Sequence, residues 1–349
     1  MLFLLNYHKN YPKTTYIDKS VIIGYNKYMK VHFSNQGNLR YFEHFAKQLD
    51  FSRPDRLEII FDTNFVSVHP AQLVLVAALA KRVGRKNSII LPKNTKHFCW
   101  LESMGLYNLL NVSSSDTRCM RQESAGRFIP ITFVKTAQDQ SRFISDMVPL
   151  LHLNEKDATI IKYMIGELVR NVLEHSLTRN GAVVAARYFA KTNKISLAIC
   201  DTGIGLWRSL KLWKPRSDKE ALRLALMPGI SGTTLKEGGS TENAGAGLFF
   251  IRSIAKTTRN NFVTFSGDTV YVLKKTRSDQ KTPVLQADPL TDNCICNDQI
   301  SRFEGTLVAV DISLDSTVAF KEMLSMINDA YDLAIRERRQ AKFRKPNFI

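Results

Sequence analysis

The spacing of apolar positions changes along the chain, and the changes mark its elements. Leu57-Glu58-Ile59-Ile60-Phe61 reads as a short strand, and Pro70–Arg82 (PAQLVLVAALAKR) as a helix opened by proline. Ser88-Ile89-Ile90-Leu91 is a second strand, stopped by Pro92. Lys96–Met104 is a second helix, with Gly105 placed to cap its C-terminus. Strand, helix, strand, helix within residues 28–112 predicts a small α/β domain. Residues 1–27 carry little periodicity and form an N-terminal extension. Residues 113–130 begin with a polar, mixed stretch (SSSDTRCMRQESAGR) that reads as a linker.

A second unit, 131–315, follows. Leu150–Leu177 has helical period, and Ile161, Met164, Ile165, Leu168 and Val172 form its apolar stripe. Ala182–Ala190 and Lys194–Cys200 are β-like, and Asp218–Leu226 is a helix. A Gly/Ser/Thr-rich stretch, Pro228–Gly247, leads to a helix at Leu248–Thr257. Val263–Phe265, Val270–Lys274 and Thr306–Ile312 read as strands. Residues 276–303 form a polar insertion between the last two, longer than compact domains normally carry without a function. Ser316–Lys342 is a final helix within a basic C-terminal segment, 316–349.

Length and charge narrow the picture. A chain of 349 residues with 44% apolar residues suits two packed domains. Its strongest apolar run, Leu73–Ala80, is far too short to span a bilayer, and MLFLL is too short for a signal-peptide core. Five scattered cysteines argue against a disulfide framework and for a reducing cytoplasm. Cys294-Ile295-Cys296 lacks the second pair or nearby histidine of a zinc site and reads as two loop thiols. The net charge of +17 would suit nucleic acid, an acidic protein partner or a basic proteome. Its densest cluster, Arg336–Lys345, reads as a solvated helix end. No helix-turn-helix, zinc finger or aromatic-basic stacking run supports nucleic acid by motif.

Four stretches can carry chemistry. On the helix GELVRNVLEHS, Glu167, Asn171 and His175 fall in one row beside the apolar stripe, where a cleft wall or a solvated edge would both fit. The apolar strand ISLAIC runs into Asp201-Thr202-Gly203-Ile204-Gly205, where an Asp at a strand end precedes two glycines. This is a ligand-approaching turn or an ordinary Asp-Thr-Gly turn. Asn243-Ala244-Gly245-Ala246-Gly247-Leu248 opens a helix, the setting in which free amides bind phosphate. It lacks the third glycine of a dinucleotide fingerprint and the Lys-Ser/Thr of a P-loop. The fourth is Glu304-Gly305-Thr306, ahead of LVAVDI.

In this order the four stretches resemble the GHKL ATPase superfamily. Its ATP site combines an N-box helix, an Asp-x-Gly-x-Gly turn, a Gly-x-Gly turn behind a mobile lid, and a late Gly-Thr strand. The Glu-x-x-x-Asn-x-x-x-His form is most similar to the anti-sigma-factor serine kinase branch. The resemblance implies a two-layer α/β sandwich (the Bergerat fold) over 131–315, binding ATP and Mg²⁺. Asn171 would hold Mg²⁺, and Glu167 would orient or deprotonate the attacking group. Asp201 with Thr306 would read the adenine amine. Gly203 and Gly205 would let the backbone approach base and ribose. Asn243, Gly245, Gly247 and Leu248 belong to the phosphate turn, and residues 228–244 to the lid. His175 would either approach the phosphates or cap its helix.

Residues 28–112 resemble a STAS-like domain, the usual protein partner of anti-sigma kinases. Phospho-regulated members carry a Ser or Thr acceptor where this chain has Val68-His69-Pro70; Ser67 is out of register, and His69 is either an acceptor or a turn residue. Three functions follow as expectations. The first is a regulatory ATPase or protein serine/threonine kinase working by partner switching, with a STAS-like antagonist or sigma-factor-like regulator as partner, and with homodimerisation as a family habit. The second is a nucleic-acid-associated GHKL ATPase, and the third a non-catalytic ATP sensor.

Overall fold

The computed structural model describes residues 28–52, 56–61, 68–83, 87–90, 95–110, 127–151, 155–235, 247–276, 284–314 and 320–343. The extension 1–27, most of the linker, Ser67, Asn243 and Gly245 lie outside them.

In chain order the first elements are β1 (Tyr28–Phe33), α1 (Phe42–Lys47), β2 (Arg56–Phe61), α2 (Pro70–Val83), β3 (Asn87–Ile90), α3 (Thr95–Ser103) and α4 (Leu106–Leu110). Next come β4 (Phe128–Val134), α5 (Ala137–Leu151), α6 (Glu155–His175), β5 (Ala182–Phe189), β6 (Lys194–Asp201), α7 (Gly205–Ser209) and α8 (Asp218–Ala225). The chain ends with α9 (Gly247–Thr257), β7 (Phe262–Gly267), β8 (Thr269–Leu273), β9 (Cys294–Asn297), β10 (Phe303–Ser313) and α10 (Phe320–Phe343). The class is mixed α/β. β1, β2 and β3 make a three-stranded parallel sheet, and the other strands make an antiparallel seven-stranded sheet in the order β4-β5-β6-β10-β7-β8-β9.

The large sheet is apolar on both faces. Val183, Ala185, Ala198, Cys200, Val263, Phe265, Leu307 and Ala309 point into a core shared with the first hundred or so residues. Their alternates Val184, Ala186, Leu197, Ile199, Phe262, Val308 and Val310 point into a second core with α5, α6, α8, α9 and α10. This is the period-two side-chain alternation of a sheet covered twice. α2 supplies much of the first cover. Every residue from Pro70 to Ala80 is buried, which requires a helix apolar around its whole circumference. Phe51 adds ring contacts to Phe265 and Phe303 at 5.5 and 5.3 Å.

A polar joint fixes α2 over the sheet. His69 and Gln72 cap the helix reciprocally: the His69 amide donates to Gln72 Oε1 at 3.1 Å, and the Gln72 amide donates to the His69 carbonyl at 3.0 Å. The Ala71 amide donates to His69 Nδ1 at 3.0 Å, so Nε2 carries the ring proton and donates to Asp311 Oδ1 of β10 at 3.1 Å. Lys194 Nζ meets Asp311 Oδ2 at 3.0 Å, and the Ser196 hydroxyl donates to Oδ1. Burial alone would raise the Asp311 pKa; these donors overcome it and hold the carboxylate below the usual range. His69 is therefore a buried helix cap, with both ring nitrogens engaged, and not a phosphate acceptor.

Several elements differ from the sequence expectation. The second unit begins three residues before Ile131, with β4, and is followed by α5, whose start is capped by Thr136 and Asp139 exchanging amide bonds. The end of the 276–303 insertion is part of the sheet. β9 pairs with β8 in the register Leu273↔Cys294 and Tyr271↔Cys296, so the two thiols lie on an edge strand and not in a loop. Cys200, Cys294 and Cys296 are free, and Cys99 is disulfide-bonded. The basic cluster is exposed over 336–341 apart from half-buried Arg338, which donates to the Pro228 carbonyl; the turns of α10 before it pack on the protein, with Ala334 and Ile335 buried and Tyr331 against Phe249 and Phe250. No helix among the described residues is long and apolar enough to cross a membrane.

His69→Ala removes both the cap and a donor to Asp311, and is expected to cost roughly 2–3 kcal/mol. Urea unfolding should remain one cooperative transition, because the two units share a core. Two separate transitions in the wild-type protein would refute that coupling.

Candidate functional site

Two groups of expected residues assemble, joined through the C-terminus of α6. Asp201 ends β6 and lies opposite Thr306 of β10, which in turn pairs with Ser266 of β7. The Gly203 amide donates to Asp201 Oδ1 at 2.7 Å, turning the chain back over its own carboxylate. The Ile204 amide donates to the Ser176 carbonyl at 2.9 Å, docking this turn on the end of α6. A Cβ on Gly203 would lie 2.0 Å from that carbonyl oxygen, so only glycine allows the approach. Gly305 has φ +138°, and a Cβ there would lie 2.0 Å from the Asp201 carbonyl oxygen. Gly205 opens α7 close by: the Leu206 amide donates to Ser266 Oγ at 2.9 Å, and Ser266 donates to the Gly305 carbonyl at 2.7 Å.

The second group lies higher on α6. Gly247, the first residue of α9, faces Asn171 and Glu167: a Cβ there would stand 3.5 Å from Asn171 Nδ2 and 3.9 Å from Glu167 Cβ. Glu167 Oε1 is buried and lies 3.0 Å from Arg170 Nη2, an ion pair without the alignment of a hydrogen bond. Leu248 is half-buried against the core of the helical layer. His175 is the last residue of α6, with its imidazole 3.8 Å from the Glu174 carboxylate and 30% exposed. Asn243 and Gly245 fall outside the described residues.

The electrostatics centre on Asp201. Burial pushes its carboxyl up to about 7, against the opposing pull of the Gly203 and Thr306 amides. An acceptor so poorly solvated gains most when a ligand brings it a hydrogen-bond donor. Glu167 Oε1 is a second buried acceptor, paired with Arg170 on the same helix face. The two acceptors could hold a polar ligand, one at the strand end and the other beside α6.

Ser176, Ser266 and Arg170 were not among the expected site residues. Arg170 was findable, since Glu-x-x-Arg is a helical ion-pair spacing. Ser266 has no local signal: it is one hydroxyl in a buried strand, brought to the site by β7 pairing with β10.

A carboxyl whose folded pKa is raised supports folding most while it is protonated. The Asp201 contribution is complete below the unfolded pKa near 4 and is lost as pH rises to about 7. Across that window the wild-type protein should lose up to roughly 4 kcal/mol relative to Asp201→Asn, given about 1.4 kcal/mol per pKa unit. Thermal melting of both proteins over the range checks this, and parallel curves would refute it. No protein-family model matches the chain, and no curated protein sequence matches it.

Proposed function

We propose that the chain is an ATP-binding regulatory protein of the GHKL type, which hydrolyses ATP or passes its γ-phosphate to a protein Ser or Thr. The observation that carries this reading is the convergence of four separate stretches. The Asp201 turn docks on the end of α6, Gly305-Thr306 pairs beside the Asp201 carboxylate, and Gly247 meets Asn171 and Glu167. An antiparallel sheet layered with helices on the face that carries α6 and α9 agrees with the proposal.

Asp201 would accept from the adenine amine, with Thr306 alongside. The amides at Gly247 would face phosphate at the start of α9. Asn171 would hold Mg²⁺, which when bound neutralises phosphate charge and takes most of its remaining ligands from water and phosphate oxygens. Glu167, its buried Oε1 held by the Arg170 ion pair, would orient the attacking hydroxyl and accept its proton. Arg170 would keep that carboxylate aimed. His175, at the end of the row and beside Glu174, takes no role in the transfer.

Calorimetry with ATP and Mg²⁺ tests the site. Asp201→Asn should weaken binding by roughly 10- to 100-fold, the worth of a charged hydrogen bond. Gly247→Ala should leave thermal stability unchanged, because its Cβ fits at ordinary contact distance. It should still weaken binding several-fold by crowding the phosphate amides. Unchanged ATP affinity in both variants would sink the assignment. Glu167→Gln should keep binding but lose about 100-fold or more in turnover, the usual scale for a positioned base. Full turnover in that variant would remove the role given to Glu167.

A further inference from the structure

The segment between the Asp201 turn and α8 takes no part in the function proposed above. Residues 207–216 read WRSLKLWKPR, two tryptophans among four cations, an aromatic-basic run that the motif reading of the sequence passed over. Arg208, Lys211, Lys214 and Arg216 are all exposed, and among the described residues none forms a salt bridge. Such a concentration of unneutralised charge at the surface invites an anion.

The indoles are held as fixed plates. Trp207 Nε1 donates to the Pro215 carbonyl at 3.0 Å, and Trp213 Nε1 donates to the Ser231 carbonyl at 2.7 Å. Lys214 follows Trp213 at φ +49°, a left-handed conformation uncommon for a residue with a side chain. That turn carries Pro215 back to Trp207. The Arg302 guanidinium, ion-paired with Asp218, lies over the Trp207 ring at 5.2 Å, and Trp207 is still 42% exposed. A tethered, part-exposed aromatic ring in a run with four exposed cations is the arrangement that stacks an unpaired base while phosphates meet Lys and Arg.

We infer that residues 207–216, with Arg302, form a docking surface for single-stranded nucleic acid. Trp207 stacks a base, and Arg208, Lys211, Lys214 and Arg216 follow the backbone. A duplex would use the cations but leave the ring idle. A lipid surface fits less well, because both indole N–H groups are committed to the protein's own carbonyls and Leu212 is the one exposed aliphatic residue of the run. The net charge of +17 adds long-range attraction for any polyanion. The inference is independent of the nucleotide reading, and either can fail alone.

The test is fluorescence anisotropy with the full chain and labelled oligothymidylate or oligouridylate of about 20 nucleotides, between roughly 50 and 200 mM salt. Affinity should fall with salt at a slope near −0.7 for each phosphate neutralised. Lys211→Glu with Lys214→Glu, at exposed positions that should not disturb folding, should make the slope shallower and weaken binding about tenfold or more. Trp207→Ala should weaken it roughly 5- to 100-fold, while Trp207→Phe keeps most of the affinity. Either sugar satisfies the inference, and the tighter one tells DNA from RNA. It is overturned by absence of binding at the lowest salt, or by a blunt duplex that binds as tightly and ignores Trp207. Trp207-dependent capture by phosphatidylserine vesicles without oligonucleotide binding would also overturn it.

Discussion

A seven-stranded sheet with two apolar faces cannot stand alone in water. Both faces must be covered, and much of the remaining architecture answers that requirement. α5, α6, α8, α9 and α10 cover one side. On the other, α2 lies against β5, β6 and β10 and carries the small parallel sheet with it. A half-covered version would expose Val183, Cys200, Phe265 and Leu307 together, a patch larger than monomers tolerate. The Asp311 joint gives this cover a fixed position, because an unpaired buried carboxylate is costly and only one placement of α2 brings His69 to it.

The same cover makes the candidate site. Asp201 is desolvated because it ends a strand buried from both sides, and its neighbours supply amides but no cation. Gly203 and Gly305 let three backbone segments crowd that strand end, closer than any side chain would permit. The chemistry therefore sits at one end of the central β6–β10 pair, where sheet geometry brings distant segments together without long loops.

The far side of α9 is anchored by the segment that reads as an insertion. Arg252, fully buried, donates to the Gln286 carbonyl and lies 3.7 Å from the Asp292 carboxylate. Lys256 pairs with the same carboxylate, and the Tyr271 hydroxyl lies 3.1 Å from the Pro289 carbonyl and 3.3 Å from Asp292. Together with the tilted ring contacts of Tyr331 with Phe249 and Phe250, this fixes the helix that begins at Gly247. Arg338 reaches from α10 to Pro228, at the start of the Gly/Ser/Thr-rich stretch. The two ends of that stretch are thus held by the same pair of packed helices.

The sequence alone determined most helices and central strands, since period and capping are local properties. Proline at the start of α2, Gly105 at φ +82° after α3, and the apolar runs of β6 and β10 follow from neighbours a few residues apart. The order of the four motif stretches was equally legible. The tertiary structure decided what depends on distant partners. Nothing near His69 announces Asp311, because they are 242 positions apart. A polar stretch around Cys294 becomes an edge strand because β8 offers an open row of amides and carbonyls. The exposure of Trp207 and its tether to Pro215 likewise belong to the folded chain. Short-range hydrophobic period is written in the chain, whereas burial, pairing and desolvation arise only when remote segments meet.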